Sequence, residues 1–270
     1  MNTTALYNNK GNAAVGGISG FTIKMIAVVT MLIDHVAASL LERILMQWNL
    51  GDSWEFYYNV YQVMRDIGRL AFPIYIFLLV EGFTYTRSKR KYAGRMFLFA
   101  IISEIPFDMA FNGCVLELYS NNVFITLFLG LITISMLDAI LQSPKIVDTS
   151  DSPVKWLLVN IGKCIAMAAI VLVMMVVAKW LLKCDYGEAG IAAIVGMYLL
   201  RNYKEVGFAV AVLLLAFFCG EIELWALIAL IPIHFYNGTR GRSLKYFFYA
   251  FYPVHLLVIA GIGYLIGLGL

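Results

Sequence analysis

The chain has 270 residues, of which 61% are hydrophobic and only 14% charged, with a net charge of +3 and a mean hydropathy of +0.81. Charges this sparse could not cover the apolar surface of a soluble domain, so the composition describes a protein whose main solvent is the bilayer. The small positive balance sits in short loops and leaves no footprint for nucleic acid.

Residues 1–18, rich in Asn, Thr, Gly and Ala with one Lys, read as a disordered tail, because nothing in them could form a core. Residues 19–270 read as a single transmembrane domain. Crossing the hydrocarbon core takes about 17–25 apolar residues. Candidate spans lie at 20–42, 66–87, 92–111, 122–142, 156–181, 188–200, 205–220, 222–237 and 246–268. The first is too long for the apolar part of a signal peptide and reads as a retained helix. Between it and the second, Trp48, Trp54, Tyr57, Tyr58 and Tyr61 suit an interfacial loop. The sixth is short and rich in small residues (Gly190, Ala192, Ala193, Gly196), which suits a tilted, broken or closely packed helix. A tight turn at 220–223 separates the seventh from the eighth. The expected fold is all-α, a polytopic helical membrane protein with about nine transmembrane helices.

Basic residues occupy alternate connections: Arg87, Lys89, Arg90, Lys91 and Arg95, then Lys145 and Lys155, then Arg201 and Lys204, then Arg240, Arg242 and Lys245. The positive-inside rule places these in the cytoplasm together with the N-terminus. Glu42, Asp52, Glu55, Glu117, Asp185, Glu221 and Glu223 then fall on the opposite side. The four cysteines have no metal-ligand spacing. Cys164 and Cys219 read as small core residues, while Cys114 and Cys184 share the outer side, with their pairing left open because sequence does not supply the geometry.

Within the first span lie Asp34 and His35. A charged carboxylate at the centre of a membrane helix costs about 2.5–3.5 kcal/mol, so such residues usually face a polar interior and a function. His35 follows Lys24 by eleven residues, close to three turns, so the two share a face, while Asp34 is rotated by about 100°. Adjacent helical residues do not face each other, and Asp34 is expected to reach an arginine on a neighbouring helix. Arg65 and Arg69 are four apart with Asp66 between them, and Glu104 and Asp108 are also four apart. Three consecutive helices thus gather Asp34, His35, Arg65, Asp66, Arg69, Glu104 and Asp108 in their outer halves. Either an ion-pair network that fastens the helices or a polar cavity opening outward accounts for them. Asn121 and Asn122 can cap the fourth helix and face the same region. His255, near mid-depth in the last helix, reads as a helix–helix hydrogen-bonding residue or a second site histidine. Glu81 reads as a structural partner of Lys24 or of a loop arginine, and His234 as interfacial.

Several segments carry a family resemblance. Lys24-Met-Ile-Ala-Val-Val-Thr-Met-Leu-Ile-Asp34-His35, Ile67-Gly-Arg69-Leu-Ala-Phe-Pro73, Phe77-Leu-Leu-Val-Glu81-Gly82-Phe83, Glu104-Ile-Pro106-Phe-Asp108 and Phe251-Tyr252-Pro253-Val-His255-Leu256 together resemble the conjugation-associated TraX family, over nearly the whole chain beyond the tail. The resemblance implies an integral N-acetyltransferase of the bacterial cytoplasmic (inner) membrane, using acetyl-CoA and distantly similar to the transmembrane acyltransferases. A plasmid-encoded member acetylates the N-terminal amine of pilin. The implied partners are the lipid bilayer, an acyl-CoA donor and an amine acceptor, pilin among the candidates, with no metal. Histidine suits proton removal from an amine because its ordinary pKa is about 6.5. His35 is accordingly the expected general base, with Asp34 tuning it directly or through Arg69. Arg65 or Arg69 would stabilise the oxyanion, or Arg69 would only lock Asp34. Asp66, Glu104, Asp108, Asn122 and His255 would line the acceptor side. Lys24, Arg87, Arg90, Lys91, Arg240 and Arg242 would attract the phosphates of CoA, although topology alone accounts for the loop cations. Two other readings stay open: a proton-coupled transporter, weakened by the lack of an internal repeat, and a non-catalytic assembly factor of a conjugation or secretion system.

Overall fold

The computed structural model describes residues 16–143 and 153–268; most of the tail and Lys145 lie outside the described residues. The protein is all-α. The helices are α1 (Gly20–Gln47), α2 (Trp54–Gly68), α3 (Ala71–Tyr85), α4 (Lys89–Phe107), α5 (Val123–Leu141), α6 (Pro153–Val176), α7 (Gly187–Leu199), α8 (Lys204–Cys219), α9 (Leu230–His234) and α10 (Lys245–Leu265). A 3₁₀ segment, Glu221–Ala229, leads into α9. The described residues contain no strand, only isolated bridges between Ile18 and Tyr236 and between Asn121 and Cys184.

Those two bridges sit at opposite ends of the bundle. At the end that carries the basic loops, Ile18 donates to the Phe235 carbonyl at 2.9 Å and accepts from the Asn237 amide at 3.0 Å. Lys204 Nζ reaches the carbonyls of His234 and Tyr236 at 3.1 and 3.0 Å. There too Lys89 pairs with Asp138, which also accepts from the Tyr198 hydroxyl at 2.6 Å, tying α4, α5 and α7 together. At the acidic end, Asn121 and Asp185 exchange backbone bonds across the bridge (Asn121 N to Lys183 O 3.1 Å; Asp185 N to Asn121 O 2.8 Å). Basic and acidic connections alternate along the chain as expected from the sequence.

Five stretches are long and apolar enough to cross a membrane: Gly20–Gln47, Gly51–Tyr85, Val123–Leu141, Leu157–Leu181 and Tyr246–Leu265. The predicted nine is therefore approximate, since α4, α7, α8 and 221–234 are shorter or more charged. With 13 residues, α7 spans only about 20 Å. Its small residues let it sit inside the bundle: Gly190 lies directly against Thr126 and Phe72, and Ala189, Ile191, Ala193 and Ile194 are buried. Conversely, only 6% of the apolar window of Leu157–Leu181 is buried inside the protein, against 56% for Gly51–Tyr85. That helix is peripheral, and its surface is stable only where lipid covers it.

Three sequence expectations need correction. The aromatic stretch between the first two spans is helix, not loop: Trp54 stacks on Tyr58 one turn later at 4.9 Å, and Tyr61 donates to Glu42 Oε2 at 3.3 Å, laying α2 along the far half of α1. An aromatic-rich amphipathic helix and an interfacial loop have the same composition, and only the register of the turn separates them. Glu81 accepts from the Tyr236 hydroxyl at 3.2 Å, not from Lys24 or an arginine. Cys164 and Cys219 are exposed on the bundle surface, and all four cysteines are free thiols. Cys184 Sγ–H instead donates to the Ala178 carbonyl at 3.2 Å.

Candidate functional site

α1 is not a uniform α-helix. Directly after His35 it widens into a π-helical turn, Val36–Leu41, before resuming at Glu42. The end of α4 widens in the same way at Asp108–Asn112. Such turns shift backbone hydrogen bonds to i→i+5 and recur at functional sites. The two meet: Ser39 Oγ donates to the Ala110 carbonyl at 2.6 Å, and Arg43 Nη2 reaches the carbonyls of Ala110 and Phe111, each at 3.2 Å. Residues 35–43 are thereby fixed against α4.

His35 and His255, 220 positions apart, are stacked with their ring planes at 11°, and His35 Nδ1 lies 2.7 Å from His255 Nε2. His255 Nδ1 is 2.7 Å from the Phe251 carbonyl. A carbonyl can only accept, so the proton belongs on His255 Nδ1. In the neutral ring His255 Nε2 is then an acceptor, which places a proton on His35 Nδ1. His35 Nε2 is left with its lone pair and with no partner among the described residues. The hydrogen-bond order selects the tautomer a general base requires, the role a carboxylate plays in a hydrolase triad. Phe111 and Tyr252 meet the His35 ring edge-on, at 5.3 and 5.8 Å.

Asp34 turns to arginines and not to His35. Arg65 Nη1 donates to Asp34 Oδ1 at 2.6 Å and Arg69 Nη2 to the same oxygen at 3.2 Å. Arg69 Nη1 donates to Glu223 Oε1 at 3.0 Å, and its Nε to the Arg65 carbonyl at 3.2 Å. Every nitrogen of Arg69 is thus engaged, at the break between α2 and α3. The approach depends on Gly68, where a Cβ would collide with the Asp34 carboxylate. The clamp joins α1, the α2–α3 break and the 3₁₀ segment. Glu223, 1% exposed, is the member that the sequence reading missed, because it appeared there only as one more acid in a turn.

The remaining expected residues separate from this centre. Asp66 makes no side-chain hydrogen bond or ion pair with a described residue. Asp108, fully buried, accepts from Asn112 Nδ2 at 2.9 Å and from the Glu117 amide at 2.7 Å, closing its own loop. Glu104 is held by Asn122, whose amide nitrogen donates both to Glu104 Oε2 and to the Ala100 carbonyl, the latter at 2.8 Å. Asn122 Oδ1 meanwhile caps α5 by accepting from the Phe124 amide at 2.9 Å. One residue therefore caps one helix and neutralises a buried acid on another. Asn122→Ala is expected to cost about 1–3 kcal/mol, the sum of a lost cap and a buried carboxylate that keeps only the Asn122 backbone amide as donor. Thermal unfolding in detergent measures it, and a change below about 0.5 kcal/mol would remove the double role.

A cavity of about 690 Å³ enters the bundle from the basic end between α1, α3, α4, α5 and α10. Its rim carries Lys24, Arg240 and Arg242, with Arg95 further along the wall. Arg95 donates to the Tyr249 hydroxyl at 3.1 Å. Of the expected phosphate-binding cations, Arg87, Arg90 and Lys91 are exposed and do not line it, whereas Arg95 does. The far half is lined by Met31, Tyr75, Val123, Phe124, Leu127 and Tyr252. Met31 is one turn before His35, and the Tyr252 ring meets His35 and His255 at 5.8 and 5.6 Å. The cavity therefore leads from a cationic rim to the wall of the histidine pair, roughly 16 Å along the α1 axis from Lys24 to His35. Its size falls within the range of small-molecule and cofactor sites.

Fold and centre together define a polytopic α-helical membrane protein with paired histidines packed behind the Tyr252 wall of a basic-rimmed cavity. The chain belongs to the TraX protein family, whose model matches residues 19–263. It is 28% identical over 270 aligned residues to the probable fimbrial assembly protein FimC, serogroup H1, of Dichelobacter nodosus, covering 89% of this chain and 94% of that protein. No solved structure matches it.

Proposed function

We propose that the protein is a membrane N-acetyltransferase of the bacterial inner membrane, with its N-terminus cytoplasmic, that takes an acetyl group from a CoA thioester and gives it to an amine. The supporting observation is the cavity that runs from a cationic rim to the Tyr252 ring, which packs edge-on against a histidine pair whose hydrogen-bond order leaves His35 Nε2 unprotonated. The rim cations suit the phosphates of CoA. The apolar far half suits the uncharged arm of the thioester, and exclusion of water there strengthens every electrostatic interaction made with the reacting atoms. His35 removes the proton that the amine must lose, His255 holds the ring, and Asp34 acts on this centre only through the arginine clamp. The acceptor proposed is the amino terminus of a pilin-like protein, in keeping with the family and with a relative named for fimbrial assembly.

The decisive experiment uses the purified full chain in nanodiscs with acetyl-CoA and a peptide bearing a free amino terminus. Thiol release and an acetylated peptide are the expected products; their absence at every pH between 6 and 9 would sink the proposal. That relative's name also supports a second reading, a non-catalytic assembly factor, which would yield a piliation defect on deletion and no acetylated product.

The rim gives its own prediction. Arg240→Ala with Arg242→Ala is expected to raise KM for acetyl-CoA about tenfold or more at low salt with kcat unchanged, and the effect shrinks at high ionic strength. Neutralising Arg87, Arg90 and Lys91 together is expected to leave KM unchanged. The reverse pattern from steady-state kinetics would move the phosphate site to the α3–α4 loop.

A further inference from the structure

The arginines expected to stabilise the oxyanion are in the wrong place for it. Arg69 has all three nitrogens engaged, and Arg65 is paired with Asp34. Some other donor must face the reacting carbonyl, because charge that develops on an oxygen in an apolar, water-poor chamber is strongly unfavourable without one. The far half of the cavity supplies few candidates. Met31, Val123, Phe124 and Leu127 have no side-chain donor, and Tyr252, whose ring packs edge-on against both histidines and Phe124, has its hydroxyl engaged with the Val123 backbone amide.

Tyr75 differs from these neighbours. It stands on α3 one turn after Ala71, packed between the main core and the cluster that contains Met31, Phe107, Tyr252 and Leu256. Its side chain lines the cavity, and its hydroxyl has no hydrogen-bond partner among the described residues. A phenol among apolar walls without a partner is unfavourable unless something bound there accepts from it. Tyr92, another cavity tyrosine without a side-chain partner, lies toward the rim, with its hydroxyl against Gly82.

We infer that Tyr75 is a catalytic residue, donating its O–H to the thioester carbonyl oxygen as that oxygen gains charge; the inference rests on the acetyl-transfer reading above. In the step, His35 Nε2 accepts the proton lost by the amine while the amine nitrogen forms its bond to the carbonyl carbon. The carbonyl π pair moves onto oxygen, where the Tyr75 hydroxyl meets it. When that pair returns, the carbon–sulfur bond breaks, and the proton held on His35 passes to the departing thiolate. The amide and the free thiol account for every atom, and both His35 and Tyr75 return to their starting states.

The test compares Tyr75→Phe with Tyr264→Phe, an exposed tyrosine outside the cavity, in nanodiscs, measuring kcat, KM for acetyl-CoA, CoA binding and thermal unfolding. Phenylalanine keeps the ring and its packing and removes only the donor. Tyr75→Phe is expected to lower kcat about 100-fold with CoA affinity and unfolding temperature unchanged, and Tyr264→Phe to stay within threefold of wild type. A Tyr75→Phe kcat within threefold of an active wild type overturns the inference alone, as does a loss explained by weaker CoA binding. A wild type that transfers no acetyl group overturns the functional reading, and the inference with it.

Discussion

His35→Ala is expected to lower acetyl transfer by at least about a thousandfold, toward the upper range for loss of a general base, while the protein stays monodisperse in detergent. His255→Ala is expected to be milder, about 10- to 100-fold, because it removes the group that fixes the His35 ring and its tautomer but leaves the base itself. Acidification should abolish the rate, since only the unprotonated Nε2 accepts a proton, and in the His35→Ala protein that dependence should vanish. Thiol release at saturating acetyl-CoA measures all three. Near-normal turnover of His35→Ala would falsify the base assignment, and with it the meaning given to the histidine stack.

The second large effect is on stability. Arg69→Met is expected to destabilise the protein by about 3–5 kcal/mol, because Glu223 would be left buried without its cation and Asp34 would keep only Arg65. Arg65→Met should cost distinctly less: its side chain is 24% exposed against 11% for Arg69, and it makes one ion pair where Arg69 makes two. Gly68→Ala should resemble Arg69→Met, since the added methyl and the Asp34 carboxylate cannot occupy the same space. Glu223→Gln should be the mildest, as the amide oxygen can still accept from Arg69. Unfolding followed by thermal melts in a single detergent ranks the four. If Arg69→Met melts with wild type, the clamp does not hold the bundle together.

Local properties of the chain were legible from the sequence, and long-range pairings were not. Hydropathy gave the all-α membrane class, because it is set residue by residue against the bilayer, while the count of passes it gave is only approximate. The expectation that Asp34 would reach an arginine and not His35 also came from local geometry, the 100° step between neighbours on a helix. His35 with His255, and Arg69 with Glu223, are partnerships 220 and 154 positions apart, and no periodicity encodes them. Glu104 and Asp108 looked like one acidic pair because they are four apart. The π turn that begins at Asp108 gives that residue its own loop as partner and leaves Glu104 to Asn122. Arg95 was read with the cationic loop, although it sits far enough into α4 to reach the cavity wall.

The widened turn after His35 also has a consequence for how relatives should be aligned. An i→i+5 turn holds one more residue than an α turn, so the stretch between His35 and Arg43 behaves as an insertion absorbed without a loop. Deleting one residue from 36–41 would restore regular pitch and leave the helix beyond it facing as it does now, because the wide turn already absorbs the extra residue. Arg43, which lies beyond the turn, would still face the Ala110 and Phe111 carbonyls it now holds. A relative that is one residue shorter here should therefore keep the arginine that matches Arg43, with its gap falling inside the wide turn.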